Sequence, residues 1–298
     1  MHRPDLVIGC GYLGRRVADI WRREGRSVLV LTRSLLKGEE LRQAGFAPRV
    51  GDVCDPDCFP LDFPSVDRVL FAVGFDRASG KTQEEVFVGG LRNVLQRLGA
   101  KCRRFIYISS TSVFGQDDGS WVDESSACRP LRPGGICCLA AETLLREFFP
   151  APPQDAVVVR LAGIYGPGRL LSRIDDLKGG ASLPGRPDAW LNLIHVDDAA
   201  QAVVAVAAAE RPGPVYLVSD DRPVQRAEYY GRLAALVGAP PPRFDPALSR
   251  ARGSGDLNKR CSNRRMREDL RVALRFPTIA QGLPAALSAT SESARKSR

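Results

Sequence analysis

The sequence predicts an α/β fold, a doubly wound parallel sheet with a smaller, discontinuous C-terminal lobe. Three observations predict it. An apolar run at 6–8 leads into Gly9, Gly11 and Gly14, and 15–23 follows with helix-like apolar spacing at Val17, Ala18, Ile20 and Trp21. Four further strand-like runs, at 27–31, 46–52, 68–73 and 104–109, alternate with helical stretches as in a parallel sheet. The composition, 44% apolar and 26% charged over 298 residues, suits one large globular domain with a lesser lobe.

The strand–glycine–helix opening assigns a chemistry. Gly9 permits a tight turn, and Gly11 leaves the backbone open to a pyrophosphate. Gly14 lets the helix pack closely on the strand, and the helix N-terminus faces the anion. This Rossmann-like pattern makes Gly9, Gly11, Tyr12, Leu13 and Gly14 the expected contacts of a dinucleotide.

The second strand, 27–31, runs into Thr32, Arg33 and Ser34. An acidic residue there would hold the adenosine ribose of NAD. None is present, and Arg33 between two hydroxyls suits a 2′-phosphate. NADP is the expected cofactor; with Arg33 turned to solvent, NAD would serve as well. After the third strand, 46–52, Asp52 and Val53 are expected at the adenine. The fourth, 68–73, ends in Ala72, Val73 and Gly74, which complete the expected cofactor set. A helix is expected over 84–98, and the fifth strand, 104–109, runs into Ser110.

Composition narrows the function. The net charge of +9 comes mostly from scattered arginines without a nucleic-acid-binding motif, so it reads as a basic surface, with some arginines available to phosphates. No run approaches the ~18 apolar residues of a membrane span. Residues 1–4 are too short for a secretory leader, so the cytoplasm is the expected compartment. Eight cysteines and two histidines, without a CxxC pair, predict reduced thiols and no metal centre.

Seven segments together resemble the extended short-chain dehydrogenases/reductases of the NAD(P)-dependent epimerase/dehydratase kind. They are GCGYLG at 9–14, GDVCDP at 51–56, GGLRNVL at 89–95, ISSTSVFG at 108–115, RLAGIYGPGR at 160–169, LIHVDDAAQA at 193–202 and YLVSDDRPV at 216–224. In those enzymes a Tyr and a Lys four residues later move the proton, and a Ser or Thr after the fifth strand binds the same substrate oxygen. The resemblance puts Ser110 at the Ser/Thr position, Gly134 at the Tyr position and Cys138 at the Lys position. The Asn of the preceding helix falls on Phe87, and no tyrosine of this chain has Lys four residues on. Atypical extended members also lack this dyad, and the run at 258–276 resembles theirs.

Substitute groups are therefore considered. Cys137 or Cys138 would offer a thiol. Tyr165, just past a strand at 157–161, either walls the pocket or packs a turn. His195 either handles a proton or ends a strand at 191–195, with Asp197 capping the next helix. Arg160 and Arg169 are candidate clamps for an anion.

The resemblance implies a cofactor domain over 1–169 and 190–221, and a substrate lobe over 170–189 and 222–287. A helix is expected over 228–237, closed by Gly238. The tail, 288–298, is poor in apolar residues and is expected to be disordered. Two functions remain. One is an NAD(P)-dependent oxidoreductase or epimerase with a non-standard site, acting on a small, sugar-nucleotide or other anionic substrate, with a homodimer as an open assembly. The other is a noncatalytic NADP(H)-binding sensor or accessory protein.

Overall fold

The computed structural model describes residues 3–150, 155–169, 171–251 and 257–296. Along the chain, β1 (Asp5–Ile8), α1 (Gly14–Arg23), β2 (Val28–Thr32), α2 (Leu35–Gln43), β3 (Ala47–Val50), β4 (Val66–Phe71), α3 (Gly90–Leu98) and β5 (Cys102–Ser110) come first. Then follow β6 (Trp121–Val122), α4 (Pro133–Phe148), β7 (Asp155–Leu161), β8 (Gly163–Tyr165), α5 (Leu171–Lys178), β9 (Ser182–Pro184), β10 (Trp190–Leu191), β11 (Leu193–His195), α6 (Val196–Ala208) and β12 (Val215–Val218). The last elements are β13 (Val224–Gln225), α7 (Arg226–Val237), β14 (Arg243–Asp245), α8 (Pro246–Ala251), β15 (Arg260–Cys261), α9 (Arg264–Leu270) and α10 (Ile279–Lys296).

Among the described residues, seven strands form the main sheet in the order β3-β2-β1-β4-β5-β7-β12. The registers from β3 to β5 are parallel, with Ile8 opposite Leu31 on one side and Phe71 on the other. All four residues of β1 are buried, as expected of a central strand covered on both faces. The strand order reverses between β1 and β4. That is where an open α/β sheet leaves a crevice beyond its strand ends. Helix α1 packs through Val17, Ala18 and Trp21, and Arg22 and Arg23 in its last turn suit the helix dipole.

The chain divides into two compact units. The first is Met1–Val113, Pro133–Arg160 and Ala200–Tyr216; the second is Phe114–Arg132, Leu161–Ala199 and Leu217–Arg298. The second unit thus takes in 114–132, 161–169, 190–199 and 217–221, which the sequence reading gave to the cofactor domain. It is built from pairs of short strands: β8 with β11, β9 with β14, and β6 with β15 run parallel, and β10 with β13 antiparallel. Tyr165, Leu183, Tyr230, Leu233 and Leu283 are among the residues of its apolar core.

Several elements differ from expectation. The strand expected at 191–195 is two strands, because Trp190–Leu191 pair with β13 and Leu193–His195 with β8, and Asn192 lies at the change of partner. Its Nδ2 donates to the Lys259 carbonyl (2.9 Å) and its Oδ1 accepts from the Cys261 amide (2.7 Å). The helix expected from 84 begins with a π-helical turn, Glu85–Gly89, before α3. The third strand is shorter than 46–52. The tail expected to be disordered continues α10 to Lys296, and residues 297–298 lie outside the described residues. Buried Leu283 and Ala286 anchor that helix, and Thr290 Oγ1 both accepts from the Gly168 amide (2.9 Å) and donates to the Ala286 carbonyl (2.7 Å). No helix among the described residues is long and apolar enough to cross a membrane.

The glycine turn gives a stability test. A Cβ on Gly14 would lie 2.3 Å from the Gly9 carbonyl oxygen, whereas a Cβ on Gly11 would meet nothing within 4 Å. Gly14→Ala should therefore destabilise the protein by about 1–3 kcal/mol through overpacking. Gly11→Ala should stay within about 0.5 kcal/mol. Urea denaturation of both variants checks the contrast.

Candidate dinucleotide site and its chemistry

The loop after β1 explains the glycine spacing. Gly9 has φ +88°, and a Cβ there would lie 2.5 Å from the Ala72 carbonyl oxygen, so strand end and β4 loop approach backbone to backbone. The Ala72 amide in turn donates to the Ile8 carbonyl (2.8 Å). A Cβ on Gly14 would also lie 3.1 Å from Val7 of β1, so helix and strand touch. Gly11 alone of the three projects into open space. Its neighbour Leu13 caps α1 without a side-chain hydrogen bond, and the first turn holds no acidic residue. The first-turn amides of α1 therefore lack a side-chain acceptor from the cap. Tyr12 flanks the turn, its ring 4.5 Å from the Arg16 guanidinium and its carbonyl accepting from Arg16 (2.8 Å).

The residues after β2 are already engaged. Arg33 Nη2 lies 2.6 Å from Asp76 Oδ2, with both side chains about half exposed (45% and 50%). A hydrogen bond from the Ala78 amide, and then Arg33, hold the Asp76 carboxyl below its usual range. Ser34 is the N-cap of α2, its Oγ accepting from the Lys37 amide at 3.2 Å. Thr32 stays half-buried at the end of β2, where its carbonyl accepts from the Gly51 amide (3.0 Å). Asp52 folds back to accept from the Cys54 amide (2.9 Å). Val53 was expected at the adenine, but its side chain is buried in the core. A Cβ on Gly90 would meet it at 2.7 Å, and the Val53 carbonyl accepts from Asn93 (3.0 Å). Val73 is half-buried and Gly74 exposed, with nothing within 4 Å of a Cβ on Gly74.

The positions where the resemblance implies proton chemistry hold little of it. Ser110 ends β5 half-buried, its Oγ accepting from the Ser112 amide (3.1 Å). Gly134 opens α4, and a Cβ there would lie 3.5 Å from the Gln83 amide group. Phe87, in the π-helical turn, packs edge-on to Phe75 with ring centroids 6.3 Å apart. Cys138 is buried on α4, and burial, then Glu142 and Cys137, push its thiol up to about 11. A thiolate nucleophile or base is disfavoured in such a setting. Burial likewise lifts the Tyr107 phenol well above its ordinary value.

Arg160 is not free to clamp a substrate. Its Nε and Nη2 bind the two oxygens of the fully buried Glu142 at 3.0 and 2.7 Å, and Ser109 Oγ donates to the same carboxylate at 2.6 Å. Arg169 stays exposed.

In the second unit, Tyr165 lies in the apolar core at 2% exposure instead of walling a solvent-filled pocket. A Cβ on Gly282 would fall within 1.8 Å of its hydroxyl, and burial raises its pKa, so the phenol is a poor proton donor. His195 is also buried, edge-on to Tyr165 (5.3 Å) and 4.1 Å from the Phe276 ring, with Nδ1 accepting from the Asp197 amide (3.3 Å). Asp197 lies in the first turn of α6. Sequence reasoning missed Asp220. It is 1% exposed, with Oδ1 accepting from the Arg222 amide (3.3 Å). Burial, reinforced by Asp221 and Asp198, raises its pKa to about 8. No local signal separates it from Asp221 beside it.

The strand order and glycine turn define a dinucleotide-binding α/β protein. The profile of the NAD dependent epimerase/dehydratase family matches residues 6–219, and the chain belongs to that family, as an NAD(P)-binding protein of the extended short-chain type. A functionally unknown conserved protein from Silicibacter pomeroyi DSS is 31% identical, with TM-score 0.75 over 96% of this chain and 98% of that one. Protein YeeZ of Escherichia coli K12 is 27% identical over 254 residues, 83% of this chain and 88% of its own. The UDP-glucuronic acid 4-epimerase of Bacillus cereus, solved with UDP-glucuronic acid and NAD, shares the fold at 17% identity, with TM-score 0.77 over 97% of this chain and 99% of that one.

Asp220 gives a pH prediction. Unfolded, it loses its proton near 3.8; folded, it keeps it to about 8. The native state then binds the extra proton, so stability should fall as pH rises between about 4 and 8. Asp220→Asn should flatten that decline and raise the melting midpoint at pH 8 by at least about 3 °C. Melting curves of both proteins from pH 5 to pH 8 check it.

Proposed function

We propose that this protein is an NADP-preferring oxidoreductase or epimerase of a small anionic molecule, working in the cytoplasm without a Tyr–Lys proton relay. The observation that carries the cofactor assignment is the α1 N-terminus without a side-chain cap, behind Gly11, at the reversal of the strand order. Main-chain amides at 11–14 would hold the pyrophosphate, and the loop at 72–74 would flank it. The dinucleotide supplies the hydride chemistry; the chain binds and orients it. The fold shared with an epimerase solved with NAD supports a nicotinamide dinucleotide as the cofactor here.

Arg33 supports NADP. An exposed ion pair such as Arg33–Asp76 contributes about 0–1 kcal/mol, whereas an Arg–phosphate contact is charge-assisted and often bidentate. A 2′-phosphate should therefore draw Arg33 away from Asp76.

A second reading, a noncatalytic NADP(H)-binding sensor or accessory protein, is favoured by Gly134 and by the Cys138 thiol held near 11. Hydride transfer needs positioning above all, and a lost general acid costs on the order of 10²–10⁴-fold, so a slow or specialised enzyme is compatible with the same residues.

Calorimetry tests the cofactor assignment. Gly11→Val should weaken NADP binding at least tenfold, about 1.4 kcal/mol or more, without unfolding the protein; unchanged affinity would refute the site. NADPH should bind more tightly than NADH, and Arg33→Ala should narrow the gap; tighter NADH binding by the unaltered protein would refute the preference. For catalysis, no appreciable turnover is expected with common UDP- and GDP-sugars. A metabolite panel followed by NADPH absorbance separates the enzyme from the sensor.

A further inference from the structure

A cavity of about 510 Å³ opens in the first unit, at the opposite end of the strands from the glycine turn. Its floor is a cross-strand row. The sheet registers set Leu6 beside Leu29 and Leu29 beside Ala47, each near the start of its strand. Gly9 lies beyond the other end of β1, about 10 Å from Leu6 at the usual rise of a strand. A parallel sheet is ordinarily covered by helices on both faces. Here the segment 60–64, a loop, forms the facing wall, and Leu29 stays half-buried and Ala47 exposed.

That wall is held in place by the protein itself. Lys101 Nζ donates to the Leu61 carbonyl (2.6 Å) and the Phe63 carbonyl (3.0 Å). The Phe63 amide donates to the Pro60 carbonyl (3.1 Å), and the buried Phe63 ring packs edge-on to Phe59 with centroids 5.0 Å apart. From the edge strand, Arg49 Nε donates to the Cys58 carbonyl (2.9 Å), which joins β3 to the chain leading into the wall. Floor and wall are thus fixed by the fold, and a ligand would pay little to order them.

Three charged side chains line the cavity: Arg42, Arg49 and Asp62. Arg42 pairs with Glu39 on α2. Arg49 and Asp62 have no ion-pair partner among the described residues, each other included. A guanidinium has five donors, and the Arg49 bond to Cys58 uses one. An apolar floor beside an unpaired guanidinium suits an apolar molecule with one carboxylate, held by charge-assisted bonds. Asp62 on the same cavity disfavours a dianion such as a phosphate ester. The volume lies within the roughly 300–1,000 Å³ of small-molecule sites, and a single ring would leave much of it empty. We propose that this cavity is a second ligand site, which takes a monocarboxylic acid with an apolar body the size of two fused rings and holds its carboxylate on Arg49. The site goes beyond the proposed function and does not depend on it.

Calorimetry on the full chain with 2-naphthoate tests it, beside the corresponding naphthyl alcohol, which is neutral, and naphthylmethyl amine, which is a cation. Saturable binding of the acid is expected, at least fivefold tighter than that of the alcohol or the amine. Ala47→Phe, at an exposed strand position that suits an aromatic, should fill the floor and weaken the acid at least tenfold. Arg49→Gln should bring the acid down to the level of the alcohol, and it carries the test if Ala47→Phe does not fold. Binding of the acid should persist in an excess of NADP, because the glycine turn is a separate place. Absence of saturable binding by the unaltered protein overturns the proposal, and so does displacement of the acid by NADP. Equal or tighter binding of the alcohol or the amine removes the carboxylate from it and overturns it too. So does undiminished binding by Ala47→Phe, or by Arg49→Gln where that variant stands alone.

Discussion

The closest constraint in the first unit is the meeting of three backbone segments at Gly9. The β1 end, the β4 loop at Ala72 and the first turn of α1 at Gly14 approach to distances that leave no room for a side-chain carbon. Strand order, helix entry and the opening beyond the strand ends depend on that contact. A side chain at Gly9 or Gly14 would push α1 or β4 outward, and the crevice would lose its floor. Gly11 is small for a different reason, since the protein itself does not crowd it. The same letter in one motif thus answers to packing at two positions and to a ligand at the third.

Charge is handled differently inside the two units. In the first, Glu142 is buried with full compensation: two bonds from Arg160 and one from Ser109. Such a cluster adds modest net stability, but breaking one partner is expensive. It also bears on α4, where the resemblance implies a lysine. A lysine at position 138 would sit within the field of Glu142, which already raises the Cys138 thiol, and would compete with Arg160 for the carboxylate. In the second unit, Lys259 and Asp220 are buried with no ion pair among the described residues, and burial moves both pKa values toward the neutral form.

Most of the fold was legible because its signals are local. Glycine spacing, buried strand runs and helical periodicity need only neighbouring residues, and the first five strands fall where those patterns put them. What escaped depends on partners distant in sequence. Arg33 reads as a free phosphate ligand until Asp76 is brought to it. Arg160 reads as a clamp until α4 presents Glu142. The run at 190–195 reads as one strand until β13 and β8 take its two halves. The polar tail reads as disordered, since the serines and threonines at 288–293 carry no apolar stripe; the helix extends from the buried turn before them. Lys259 sits in a run of basic residues, and only burial distinguishes it from them.

The three tryptophans are distributed by unit. Trp21 is wholly buried in α1 of the first, whereas Trp121 and Trp190 flank Arg260 in the second. Indole emission depends on local polarity and on nearby cations, so the two environments emit differently. Trp21 should emit at short wavelength, and the exposed Trp121 at long wavelength. The unaltered chain therefore carries its own optical label on each unit, and the loss of order in one can be followed apart from the other without an attached dye.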